Sequence, residues 1–229
     1  MNSKFFDLFT ALNKFDSFLI TTHVNPDADA IGSQMAMYLI LKELGKEVHM
    51  INYSETPRNI IFLDPSNLIQ QFDPNRHAEI FDKVDVLIAV DFNHSNRIVS
   101  MTDYFNKSDK YKICIDHHQQ PEDFVDLYID GTQYSATGEI IWEFLKDTKI
   151  VNPNVEIAKQ IYAAIVTDTG QFKYERTSPT THRIAAELIE LGVNPTEIAD
   201  LIYDQNSVGK IRLLGMAISE IQLLENGKI

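Results

Sequence analysis

The 229-residue chain has one cysteine, 9 glycines and 8 prolines, and each scarcity excludes a class of protein. A lone Cys114 cannot form an internal disulfide, so stability must come from a packed core, and the thiol suits the reducing cytoplasm. Glycine and proline are too few for a collagen-like or low-complexity chain. Long hydrophobic runs are missing too: none approaches the roughly 18 residues of a membrane span. The N-terminal stretch MNSKFFDLFTALNKFDSF is charged throughout, unlike a secretory leader. Basic residues are also scarce. Lys and Arg number 20 against 33 Asp and Glu, a net charge of −13, which repels a polyphosphate backbone and argues against duplex nucleic acid on a basic face. Acidic side chains gathered in a cleft act differently once they hold divalent cations, because the cations then present positive charge to a phosphate.

What is present is an ordinary globular composition, 44% hydrophobic and 23% charged, with helices and strands alternating along the first half. Helical spacing covers about Lys4 to Phe15, then Phe18 to Thr22 (FLITT) reads as a buried strand. A helix from about Ala28 to Leu44 stops at Gly45. Strands follow at Glu47 to Asn52, Val84 to Val90 (VDVLIAV), Lys112 to Ile115 (KICI) and Asp126 to Ile129 (DLYI). After Ser135 the pattern is helical: Ala136 to Lys146, Val155 to Thr167, Pro179 to Leu191, Pro195 to Tyr203 and Val208 to about Leu224. The expected fold is α/β, a doubly wound, mainly parallel sheet of about five strands flanked by helices, with a C-terminal helical segment.

The chemistry-bearing residues sit where such sheets build their sites, at the carboxyl ends of strands. His23-Val24-Asn25-Pro26-Asp27-Ala28-Asp29 follows the first strand and opens a helix. Either Asp alone could simply cap that helix; capping does not account for the His. Asp91 ends VDVLIAV, where an Asx turn is the simpler alternative. Asp116-His117-His118 repeats the arrangement after KICI. Asp168 continues the apolar stripe Ile157, Ile161, Ile165, which puts a carboxylate on a buried face near a helix C-terminus; both features need a compensating cation or donor. An oxygen-rich, imidazole-containing set without thiolate suits Mn²⁺, Mg²⁺, Co²⁺ or Fe²⁺ more than a structural zinc. Six such ligands are too many for one ion that also keeps a water, and enough for two if one carboxylate bridges.

In this order and spacing, His23-x-x-x-Asp27-x-Asp29, Asp91, Asp116-His117-His118 and Thr167-Asp168-Thr169-Gly170 resemble the four motifs of the DHH phosphoesterases, over about Ser17 to Leu224. The segments PDADAIGS, SATGEI, TDTGQFKY and RTSPTTHRIAAELIELGVNP are similar to the oligoribonuclease and pAp phosphatase group of that superfamily. The resemblance implies one Mn²⁺ at His23, Asp27 and Asp91 and a second at Asp29, Asp91, His117 and Asp168, with Asp91 bridging and Mg²⁺ or Co²⁺ as other occupants. It implies that His118 faces substrate phosphate and that Asp116 orients a neighbouring histidine. The implied substrates are short single-stranded RNA and pAp-like nucleotides; pyrophosphate, polyphosphate or cyclic dinucleotides are the alternatives within the superfamily, and a catalytically silent metal or nucleotide sensor is the alternative outside enzymes. Members of this kind continue into a smaller glycine-rich domain, so residues 1–190 are expected to form the phosphoesterase domain and 191–229 a helical linker toward a domain this sequence lacks.

Other candidates are weaker. Arg97, after Asp91, could pair a phosphate or sit at a surface helix start. His49, His77, His94 and His182 are expected on the surface or in loops. Thr137-Gly138 could bring a helix start close to the site, though close packing explains that glycine equally well. Trp142 and Cys114 are expected in the core.

Overall fold

The computed structural model describes residues 2–222. Its strands are β1 Ser17–Thr22, β2 Glu47–Asn52, β3 Gln70–Gln71, β4 Val86–Val90, β5 Tyr111–Asp116 and β6 Leu127–Asp130. The helices are α1 Ser3–Lys14, α2 Ala28–Glu43, α3 Pro74–His77, α4 Ile80–Lys83, α5 Thr102–Lys107, α6 Thr137–Thr148, α7 Val155–Asp168, α8 Pro179–Glu190, α9 Pro195–Tyr203 and α10 Val208–Ser219. None of the described helices is long and apolar enough to cross a membrane.

All the strands pair in parallel, in the order β3-β2-β1-β4-β5-β6. The chain runs outward from β1 to β3, returns to the other side of β1 as β4, and runs outward again. Loops leaving the carboxyl ends of β1 and β4 therefore part in opposite directions and open a crevice between them. Both faces of the sheet are covered, which is why its strands read as continuous apolar runs. Phe18, Ile20, Val86, Ile88, Val90, Ile113 and Ile115 face the larger core, with residues of α1, α2, α6 and α7. Leu19, Leu87, Ala89 and Cys114 face the smaller one, with Phe81, Ile98, Met101 and Phe105.

The carboxyl ends of β1 and β2 are joined through side chains. Asn52 Oδ1 accepts from the Thr22 amide at 3.1 Å and from Gln34 Nε2 at 3.0 Å, while Asn52 Nδ2 donates to Gln34 Oε1 at 2.8 Å. Gln34 Nε2 also donates to the Ile20 carbonyl at 2.9 Å, so a buried pair of amides ties α2 to the sheet just below the crevice.

The sheet has six strands where five were expected. The added strand, β3, is two polar residues long and carries none of the apolar signal that marks the others. It is stabilised by His77, which is buried rather than on the surface: Nδ1 accepts from the Asp73 amide at 3.0 Å, and Nε2 lies 3.0 Å from Gln70 Oε1. The last helix ends at Ser219; Leu224, and the turn and strand onset expected for 224–229, lie outside the described residues. Ile198 and Ile202 of α9 join the main core, whereas α10 buries none of its side chains.

Candidate metal centre

Parallel register aligns the strand ends. Thr22 pairs with Val90 and Val90 with Ile115, so His23, Asp91 and Asp116 leave the sheet at one level. Asp91 still donates its amide to the Ile115 carbonyl at 3.0 Å, but its φ is 64°, a left-handed conformation that costs a non-glycine residue roughly 1–2 kcal/mol. Strain of this kind persists where the surroundings impose it, and here it accompanies the carboxylate at the centre of the cluster.

The two oxygens of Asp91 address different partners. Oδ2 lies 3.4 Å from His23 Nε2 and Oδ1 lies 3.5 Å from His117 Nε2. His117 Nε2 is also 3.3 Å from Asp168 Oδ2 and 3.8 Å from Asp29 Oδ2. Ligand atoms of His23, Asp27 and Asp91 fall within 4.8 Å of one another, as do those of Asp29, His117 and Asp168. The structure thus brings together all six candidate ligands, from residue 23 to residue 168. His118 also comes within that distance of Asp91 and His117.

Local structure holds each carboxylate. Asp27 is the N-cap of α2, accepting from the Ala30 amide at 3.0 Å, so the capping alternative describes one of its oxygens. Asp29 is not a cap. It is fully buried and accepts from the Thr137 amide at 2.7 Å, the Gly138 amide at 3.0 Å and Ser33 Oγ at 3.0 Å. The first amides of α6 thus point at this carboxylate, as unpaired helix N-terminal amides readily do. Thr137 Oγ1 donates to Asp91 Oδ1 at 2.8 Å. Gly138 serves both purposes weighed from the sequence: its amide meets Asp29, and an added Cβ would stand 2.8 Å from Ala164 Cβ of α7. Asp168 is the last residue of α7, as its stripe requires.

Asp116 stands apart from this set. Its Oδ1 lies 2.7 Å from His118 Nδ1, and its Oδ2 accepts from the His118 amide and from Tyr128 Oη. The oriented histidine is therefore His118. Arg97 is exposed; its carbonyl accepts from the Val24 amide at 2.8 Å, and its guanidinium has no hydrogen bond or ion pair among the described residues. Arg176 was not singled out from the sequence, since no acidic partner marks it. Its Nη2 donates to the carbonyls of Tyr134 at 2.6 Å, Thr132 at 3.1 Å and His117 at 3.4 Å, tying the loop before α6 to the histidine. Cys114 is buried, donates to the Phe92 carbonyl and has its thiol pKa pushed up by burial, which makes it inert.

The cluster is electrostatically uncomfortable as it stands. Burial, then the charge of Asp27, raises Asp29 to about 6. Burial, then the charges of Asp29 and Asp27, raises Asp168 to about 8, and the same causes push Asp91 well above the usual carboxylate range. Burial, then the neighbouring His118, lowers His117 to about 4, keeping its ring neutral and able to act as a ligand. No lysine or arginine forms an ion pair with these carboxylates among the described residues. Carboxylates that are buried or partly buried around Asp29 and Asp91, with no lysine or arginine ion-paired to them among the described residues and with imidazole nitrogens close by, are a donor set that fits divalent metal ions.

The sequence model of the DHH family, N-terminal domain, matches residues 17–167. The chain belongs to this family. Among similar proteins of known name, the bifunctional oligoribonuclease and PAP phosphatase NrnA of Thermus thermophilus is 32% identical over 202 residues, 88% of this chain and 58% of that protein. The protein of the same name from Bacillus subtilis is 27% identical over 96% of this chain and 67% of its own length. The crystal structure of an exopolyphosphatase-related protein from Bacteroides fragilis superposes with a TM-score of 0.91 at 28% identity, covering 98% of this chain and 67% of that one. This DHH chain thus spans between one half and two thirds of the length of these relatives.

Proposed function

We propose that the domain hydrolyses phosphoester bonds in short oligoribonucleotides and in pAp-like 3'-phosphonucleotides, using two divalent cations. The observation that carries this reading is the divided carboxylate of Asp91, with one oxygen toward His23 and the other toward His117. His23, Asp27 and Asp91 would hold one ion, and Asp29, Asp91, His117 and Asp168 the other; Mn²⁺ suits this oxygen and imidazole set, as do Mg²⁺ and Co²⁺. When bound, such ions neutralise phosphoryl oxygens and acidify the attacking water. The substrate class is supported by the names of the relatives from T. thermophilus and B. subtilis.

The remaining steps fall to the chain's own side chains. As water's oxygen bonds to phosphorus and gives up a proton to solvent, the ester bond breaks and the leaving oxygen takes a proton from His118, whose ring is half-exposed, held at Nδ1 by Asp116, and reprotonated from solvent. Arg97, exposed and without a side-chain partner among the described residues, is available to a non-bridging phosphate oxygen.

The test is hydrolysis by the full chain with Mn²⁺ of a dinucleotide RNA, pAp, a cyclic dinucleotide and pyrophosphate. Turnover of the first two above the others, abolished by a chelator, is the expected result. Turnover of pyrophosphate alone would assign anhydride chemistry. Metal binding without hydrolysis of any of the four would assign a non-catalytic binding module.

A further inference from the structure

Beside the acidic cluster lies a cleft of about 550 Å³, within the range of small-molecule sites. Asp27 lines it, and Asp27 also belongs to the cluster with His23 and Asp91, so the cleft adjoins the candidate metal centre through this residue. Its other walls include Asn59, residues Gln171, Lys173 and Tyr174 of the turn after α7, and Tyr203 of α9.

That turn is built to fix an aromatic ring. Gly170, Gln171 and Phe172 have φ of 53°, 61° and 63°, three left-handed residues in succession, two of which are not glycine. Thr169 secures them: its Oγ1 accepts from the Phe172 amide at 3.0 Å, and its carbonyl accepts from the amides of Lys173 and Tyr174. The ring of Tyr174 is thereby laid against Gly170, where an added Cβ would stand 2.4 Å from the ring's Cζ. Tyr174 is nevertheless 62% exposed. A large ring with one face braced on backbone and the rest open to a cleft is an arrangement that stacks planar ligands, since little freedom is lost on binding. Gln171 and Asn59 carry amide groups with donor and acceptor together, as the edge of a nucleobase requires, and Lys173, whose Nζ donates to Gln171 Oε1 at 3.4 Å, brings a cation to the same wall.

We propose that this cleft is the nucleoside subsite of a substrate whose phosphate lies at the acidic cluster, with Tyr174 stacking on the base. The proposal rests on the phosphoester reading above for the position of the phosphate.

Its test is equilibrium binding, measured calorimetrically on the full chain with Mn²⁺, of adenosine 5'-monophosphate and of ribose 5-phosphate, which lacks the base. The wild type should prefer the nucleotide by about 5- to 100-fold, the range that one base-aromatic stack supplies. Tyr174→Ala should remove most of that preference and Tyr174→Phe should retain it. Equal binding of the two ligands by the wild type, or an undiminished preference in Tyr174→Ala, would overturn the subsite. Hydrolysis reports separately on the activity. A chain that cleaves no phosphoester yet shows a Tyr174-dependent preference keeps the subsite and loses the activity reading; cleavage with a Tyr174-independent preference does the reverse.

Discussion

His118 Nδ1 lies 2.7 Å from Asp116 Oδ1, and the His118 amide donates to the other oxygen of the same carboxylate at 2.9 Å. Asp116 is completely buried while the His118 side chain is half-exposed, so a buried carboxylate supports a ring that is open to solvent. The hydrogen bond to Asp116 raises the pKa of His118, the opposite of what burial does to His117. The pKa values of adjacent histidines are thereby moved in opposite directions.

From that division, His118→Ala should keep Mn²⁺ affinity and lose about 10²- to 10⁴-fold in kcat, the usual range for a general acid. Asp116→Asn should lower kcat in the same direction. Steady-state kinetics paired with Mn²⁺ titration calorimetry decides the matter: Mn²⁺ loss in His118→Ala as large as in His117→Ala would make His118 a ligand.

Asp91→Asn keeps the side chain's shape, and asparagine tolerates φ of 64° better than most residues. Removing the shared charge should weaken Mn²⁺ binding by more than the roughly 10- to 100-fold that loss of an outer partner costs. The metal-free variant should nonetheless melt higher than the metal-free wild type, because burial and the neighbouring acids penalise the Asp91 charge. Calorimetric melting in chelator, with and without Mn²⁺ restored, checks both directions.

Gly138→Ala places a methyl 2.8 Å from Ala164 Cβ and 3.3 Å from the Ile161 carbonyl oxygen. Overpacking of this size costs about 1–3 kcal/mol, and the displacement falls on the amides that hold Asp29. Denaturant unfolding should report the stability loss and Mn²⁺ titration a weaker site. Adding Ala164→Gly should restore the site more fully than the stability, since glycine within a helix costs about 1 kcal/mol.

Glu139 is completely buried beside the Ser135 and Thr181 hydroxyls, and burial raises its pKa. A carboxyl favoured in its protonated form by the fold contributes stability below its unfolded pKa and loses that contribution as pH rises through the raised value. Glu139→Gln removes the titration. The melting temperature of the variant relative to wild type should therefore increase from pH 4 upward toward pH 8; a constant difference would show that Glu139 is not titrating against the fold.

Legibility in the sequence followed the strength of the local signal. VDVLIAV ending on Asp91 and the stripe leading to Asp168 placed both carboxylates correctly, because a buried strand or helix face fixes direction as well as type. Gln70–Gln71 offered no apolar pattern, so β3 was missed, and with it the reason for burying His77. Thr137 was noticed only as a neighbour of Gly138; that its hydroxyl meets Asp91 depends on a contact across 46 residues. Arg176 acts on carbonyls, which leave no trace in side-chain chemistry. Arg97 has the exposure asked of a phosphate contact, while its carbonyl does the structural task of holding Val24.

The amide pair of Gln34 and Asn52 has no ionisable group and takes no part in the cluster it underlies. Protonating or metallating the acids above it should leave those hydrogen bonds in place, so the ends of β1 and β2 are expected to keep their spacing in either state. The Thr22 amide, bonded to the Asn52 side chain of β2, reports on this directly: its deuterium exchange should be equally slow in chelator and in Mn²⁺. The join between β1 and β2 would then serve as an internal reference against which cation loading can be read from the residues above it.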